Sequence, residues 1–187
     1  MSKHSGDYRI FVGAFPTGPM IDRLQALRAR HDPKTARITA PHVTLAGTYW
    51  RLGPAGPENE AETMARLGEA QAQLPPFELQ LGGVRAFGWR VIYLAVAPTA
   101  ELMAVRQTLL QAIGPDKHRH FTPHLTLTMR LNKQPSQTLL AELQRSEWHT
   151  GRWSMPINQL WLMQRGPDDP AWRYIQQIDI NYGHDVV

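Results

Sequence analysis

Cysteine is absent from the 187 residues. Disulfides and thiolate zinc sites are therefore excluded. No stretch comes near the roughly 18 consecutive apolar residues that a membrane-spanning helix requires. The segment Met1 to Tyr8 is polar and has no apolar core of a secretory signal. Charge of one sign is not in large excess: 20 Lys and Arg stand against 16 Asp and Glu, a net charge of +4. That balance gives only a mild preference for polyanionic partners. These absences lead to the expectation of a soluble, cytoplasmic protein with no membrane partner. A hydrophobic content of 42% suffices for a core, and the length suits one domain or two small, intimate lobes.

What the sequence does contain is a phrase written twice. Pro41-His42-Val43-Thr44-Leu45 returns 82 residues later as Pro123-His124-Leu125-Thr126-Leu127. Other matches follow the same offset. Pro16-Thr17 corresponds to Pro98-Thr99, Phe11 to Phe15 to Tyr93 to Ala97, and Met20-Ile21 to Leu102-Met103. With an offset of 80, Pro76-Phe77 and Arg85 correspond to Pro156-Ile157 and Arg165. An ordered series at nearly one offset indicates an ancient duplication, with pseudo-repeats at about 9–87 and 91–165. The period is too long for a solenoid.

Apolar periodicity outlines the elements. Strands are expected at Arg9 to Phe15, Arg37 to Trp50, Phe77 to Ala86, Arg90 to Ala97, Phe121 to Leu131, Trp153 to Gln164 and Ala171 to Ile180. Thr17 is placed to cap a helix carrying Ile21, Leu24 and Leu27. Thr99 is placed to cap one carrying Leu102, Val105, Leu109 and Ile113. Further helices are expected at Glu60 to Leu74 and Pro135 to Trp148, with a Gly- and Pro-rich loop at Arg51 to Asn59. Each half then reads strand, helix, motif strand, helix, strand. The implied fold class is α+β: a single bilobal domain over 1–187 whose antiparallel or mixed sheets line a central cleft, with helices outside. The strand at 171–181 completes a lobe.

Side chains two apart in a strand share a face. His42 and Thr44 therefore project together, with Ala46, Thr48 and Trp50 expected beyond them. His124 and Thr126 project together, with Thr128 and Arg130 beyond. Val43, Leu45, Leu125 and Leu127 take the opposite faces. The polar faces hold hydroxyls, imidazoles and one guanidinium but no carboxylate, which is the chemistry of an anion site. Two imidazoles can act as general acid and general base, and two hydroxyls can bind a phosphate. Two histidines are too few for a closed zinc site, so no metal is expected.

The paired motifs in a duplicated α+β chain of this length resemble the 2H phosphoesterase superfamily. Within it they are similar to the LigT-like RNA 2′,3′-cyclic phosphodiesterases, also called 2′-5′ RNA ligases. Phe121-Thr122-Pro123-His124-Leu125-Thr126-Leu127 is the most specific match. The sequence departs at Ala46-Gly47-Thr48-Tyr49-Trp50, where the family continues with Phe-Leu-Gly. It departs again at Met129, where the family often carries Arg; here Arg130 comes one residue later.

The resemblance implies opening of a 2′,3′-cyclic phosphate to a 2′-phosphate, with RNA ends or nucleotide cyclic phosphates as partners and no cofactor. It makes His42 the proton donor and His124 the acceptor, roles that the near-symmetric pattern alone leaves open. Thr44 and Thr126 bind the non-bridging oxygens. With an RNA 5′-hydroxyl in place of water, the same site would form a 2′-5′ linkage. Substrate contacts are expected from Arg130, and from Trp50 and Tyr49 by base stacking. Lys117-His118-Arg119-His120 is a candidate phosphate-tracking run. A monomer is expected. The alternatives are a 2H phosphoesterase acting on another cyclic phosphate or nucleotide, and a non-catalytic RNA- or nucleotide-binding module of the same fold.

Overall fold

The computed structural model describes residues 7–118, 120–129 and 131–180. The elements in chain order are β1 (Tyr8–Ala14), α1 (Pro19–His31), α2 (Pro33–Ile38), β2 (Val43–Arg51), α3 (Ala61–Ala70), β3 (Phe77–Phe87), β4 (Val91–Val96), α4 (Ala100–Ile113), β5 (His124–Met129), α5 (Lys133–Leu143), α6 (Glu147–Thr150), β6 (Trp153–Ile157), β7 (Gln159–Arg165) and β8 (Arg173–Asp179). The eight strands form one sheet in the order β6-β3-β4-β5-β2-β1-β7-β8. Every pairing in it is antiparallel.

The order is balanced about the β2–β5 junction. Outward on one side lie β1, β7 and β8; on the other lie β4, β3 and β6. β3 comes from the first half of the chain, yet it pairs with β4 and β6. β7 comes from the second half, yet it pairs with β1 and β8. Each side of the sheet is thus built from both halves of the chain. Ile10, Val12, Val43, Leu45, Leu94, Leu125 and Leu127 supply the sheet's share of the core, and Leu24, Leu102 and Leu109 the helices' share; all are fully buried. Truncating any of these leucines to Ala should cost about 2–5 kcal/mol of stability.

Some boundaries differ from those expected. Thr99 does cap α4, its side chain accepting from the Leu102 amide at 3.3 Å. Thr17 does not cap α1. That helix starts two residues later, with Gly18 at the N-cap and Pro19 at the first position, where its fixed φ is already helical. The first motif strand does not begin at Arg37. Asp32-Pro33 starts a helix through Ile38, with the Asp32 side chain capping it, and the strand opens only at Val43. The single strand expected over Trp153 to Gln164 breaks at Asn158 into β6 and β7, which belong to opposite sides of the sheet. The helix expected from Pro135 to Trp148 is interrupted after Leu143, and Ser146 caps a short second piece.

Candidate active site

The two repeated phrases meet in the middle of the sheet. β2 and β5 share one ladder rung, Val43 opposite Leu125. Residues flanking a rung of an antiparallel pair face each other crosswise. His42 therefore stands across from Thr126, and Thr44 across from His124. All four are half-buried and lie on the face opposite the Val43 and Leu125 core.

Each imidazole is oriented by the same device. His42 Nδ1 lies 2.9 Å from the Ala40 carbonyl, and His124 Nδ1 lies 2.7 Å from the Thr122 carbonyl. A carbonyl only accepts, so Nδ1 carries the hydrogen in both rings. Nε2 is left as the exchanging nitrogen in each. Aromatic rings hold the imidazoles from the side. Phe11 and Phe15 stack on His42 at 4.9 and 5.2 Å between centroids. Phe87 meets His124 edge-on at 5.0 Å, and Tyr93 lies tilted at 5.1 Å. Phe11 and Tyr93 are themselves 82 residues apart. The apolar runs around them read as core, so their contact with the histidines was not legible beforehand.

Beyond the threonines the face pattern changes. Thr44 pairs with Gly13, but the next pair is Ala46 with Val12, leaving Leu45 as a bulge. Thr126 pairs with Tyr93, but the next pair is Thr128 with Ile92, leaving Leu127 as a bulge. A bulge turns the following side chains over. Ala46 and Thr128 were expected beside the histidines; both are buried against the core instead. Thr48, also expected there, is skipped by a second shift in β2 and stands outside the ladder. That second shift returns Trp50 to the histidine face opposite Arg9. Between the shifts Gly47 comes so close to Phe11 that an added Cβ would lie 2.9 Å from the Phe11 Cβ, and its φ of +117° suits glycine alone.

The expected substrate contacts separate. Trp50 is 52% exposed, with the Arg9 guanidinium 5.2 Å from its ring. Tyr49 is a correction. It pairs with Ile10 on the core side, is buried, and donates its hydroxyl to the Gly114 carbonyl at 2.8 Å. A ring facing the core has no face for a base. Arg130 and Arg119 lie outside the described residues. Lys117, His118 and His120 sit in an exposed loop. Among the described residues, no group of three or more His, Cys, Asp or Glu is placed to hold a metal ion, and no helix is long and apolar enough to cross a membrane.

Residues 16–179 match the family model of the 2′-5′ RNA ligase superfamily. The chain belongs to this superfamily. Relatives include proteins named "Putative phosphoesterase" in Bacillus licheniformis and Oceanobacillus iheyensis. The first is 30% identical over 69% of this chain and 75% of its own length. The second is 29% identical over 71% and 77%. Among solved structures, Escherichia coli LigT in apo form superposes with a TM-score of 0.64 at 23% identity, covering 94% of this chain and 99% of LigT. TT0787 of Thermus thermophilus gives 0.60 at 18% identity, over 94% and 100%. These likenesses identify the fold as that of the LigT-like 2H phosphoesterases. Membership makes the chain a phosphoesterase-class protein, acting on phosphodiester bonds.

His42 and His124 differ in their electrostatics. His42 is pushed down to about 4, first by burial and then by Arg28 and His124 nearby, against the hydrogen bond to Ala40. Arg28 lies on α1 and is itself buried. His124 is also lowered, by burial and by His118, against its hydrogen bond to Thr122. Both shifts run downward, so the free site holds both rings neutral near pH 7.

Proposed function

We propose that the protein hydrolyses terminal 2′,3′-cyclic phosphates of RNA or nucleotides to 2′-phosphates, using His42 and His124 as acid and base. The observation that carries this reading is the crosswise His/Thr square on one face of the sheet. Each Nδ1 is tied to backbone and each Nε2 is available. One phosphate fits such a set of donors, flanked by an imidazole on each side.

Chemically, a water oxygen attacks phosphorus as one imidazole removes the water proton. The bond from phosphorus to the 3′ oxygen breaks, and the other imidazolium gives that oxygen a proton. Thr44 and Thr126 donate to the non-bridging oxygens as charge moves onto them. With an RNA 5′-hydroxyl attacking in place of water, the same ring opening forms a 2′-5′ linkage. E. coli LigT, of the same fold, has been crystallised with 3′-AMP. That supports a nucleotide-sized ligand here, with exposed Trp50 stacking on a base at the rim.

Family likeness makes His42 the donor and His124 the acceptor. For that role the bound phosphate must raise His42, because the free ring is pushed down to about 4. The near-symmetric His/Thr square also admits a second reading with the roles exchanged. A phosphodiester with a nitrophenolate leaving group separates them, since it needs no acid. Only the variant lacking the acid recovers on it.

The deciding assay uses a short RNA ending in a 2′,3′-cyclic phosphate, in excess chelator. The expected product is the 2′-phosphate, identified by phosphorus NMR. A 3′-phosphate product, or activity that returns only with a divalent ion, would overturn the proposal.

A further inference from the structure

Two buried carboxylates outside the His/Thr set reach across the seam between the motif strands. Asp32 follows α1. Its Oδ1 accepts from the Thr35 amide at 3.0 Å, capping α2, and its Oδ2 accepts from the Met129 amide at 2.7 Å. Asp116 follows α4. Its Oδ2 accepts from the Gly47 amide at 3.2 Å. Both its oxygens are also gripped by Arg106, at 2.7 and 2.9 Å. Arg106 donates in addition to the carbonyl of Leu45, the bulged residue, at 2.5 Å. Burial works to raise Asp116, but the bonds from Arg106 and from the His118 and Gly47 amides hold it below the usual carboxylate range.

These two contacts are equivalent in the repeat. Gly47 and Met129 are 82 residues apart, and each lies five residues after its motif histidine. Each is the first residue back on the site face after the bulge. Each is held by a carboxylate from the other half of the chain. The helices cross in the same way, α1 packing on β5 and α4 on β2.

The seam needs such ties. β2 and β5 share one rung, so the ladder leaves the strands free to splay beyond Val43 and Leu125. Acid and base on one phosphate tolerate little splay, since a misplacement near 1 Å can cost about 10²-fold in rate. We propose that Asp32 and Asp116 are positioning residues: by holding the Met129 and Gly47 amides they set the separation of His124 and His42 across the seam. This rests on the reading of those histidines as acid and base.

Asp32→Asn isolates the tie. Asn caps a helix as well as Asp does, so the Thr35 amide keeps its acceptor. The atom facing the Met129 amide becomes an NH2 group, and two donors then oppose each other. The expected result is a melting temperature near wild type, kcat lower by about 10- to 100-fold, and KM changed less than about threefold. On the other side, Asp116→Asn alone would strand the buried Arg106 guanidinium, so it is made together with Arg106→Gln.

A readout independent of turnover accompanies the kinetics. Inorganic phosphate is titrated while the imidazole Hε1 resonances of His42 and His124 are followed by NMR. In the wild type one phosphate should shift both rings with a single Kd. In Asp32→Asn the Kd should rise about tenfold, or one ring should stop responding. A folded Asp32→Asn variant with wild-type kcat and an unchanged joint response overturns this inference and leaves the histidine reading standing. If wild-type phosphate shifts neither ring, the histidine reading fails and the inference fails with it.

Discussion

His42 and His124 occupy equivalent places and unequal surroundings. Both follow a proline, both give Nδ1 to a carbonyl two residues back, and both precede a threonine and a bulge. Their wrappings differ. Phe11 and Phe15 stack nearly parallel on His42, with interplanar angles of 23° and 24°. Arg28 adds a buried positive charge on that side. His124 meets its rings edge-on or tilted, and the side chain that helps to lower it, His118, sits in an exposed loop. Backbone symmetry sets two like groups side by side, and side-chain asymmetry gives them unlike surroundings. Acid–base catalysis by a like pair needs both.

The comparison breaks most directly at the histidines. His42→Ala or His124→Ala should each lower kcat by about 10²-fold or more on a 2′,3′-cyclic phosphate. The double variant should be little worse than the poorer single one, because groups that serve one transition state lose their effect together. Losses that multiply would mean that the two rings act separately. Thr44→Ala and Thr126→Ala should cost less than the histidine variants, as single donors to the phosphate oxygens.

A weaker test concerns the residues after the first motif. Trp50→Ala should raise KM by about three- to tenfold, with kcat nearly constant, as loss of one stacked base predicts. Tyr49→Phe removes a hydroxyl that donates to the Gly114 carbonyl. It should lower stability by about 1 kcal/mol and leave KM alone. A KM shift for Tyr49→Phe matching that of Trp50→Ala would contradict the inward placement of Tyr49.

That pair of neighbours also marks where sequence reading ran out. The His-x-Thr phrases sit where alternation puts them, because the rung at Val43 and Leu125 and the pairs beside it are regular. Alternation fails at Leu45 and Leu127. A bulge depends on how a strand pairs with its neighbour, and no local residue pattern in β5 announces one. Thr128 consequently looks like a site residue in sequence and is core in the fold. Asp32 could have been read locally, since Asp before Pro is a helix-start pattern, but its bond to Met129 spans 97 residues. The strand break at Asn158 was hidden by apolar residues on both sides. β3 pairs with β4 and β6, and β7 with β1 and β8, so the third strand of each half crosses to the other side and β6 and β7 part. The offset itself was legible in the sequence; the crossing was not.

The last test lies in acid, and it addresses the difference between the histidines most specifically. An unfolded His titrates near pH 6.5, whereas folded His42 is pushed down to about 4. The unfolded chain therefore binds more protons between those values, and stability must rise with pH across them. Read downward, the His42 contribution is intact above about pH 6.5, is lost progressively to about pH 4, and is flat below that. His124, also lowered, adds loss in the same direction. Asp116, held below its usual range, keeps its contribution until more acidic conditions. Urea midpoints for the wild type and His42→Gln, measured from pH 7.5 to pH 4, should converge as pH falls, because the variant lacks the titrating ring. Arg28→Met should narrow the window from its acid end, by removing a charge that disfavours the imidazolium. Parallel midpoint curves for wild type and His42→Gln would mean that His42 titrates alike in the folded and unfolded chains. The asymmetry between the two histidines would then have to come from the substrate rather than from Phe11, Phe15 and Arg28.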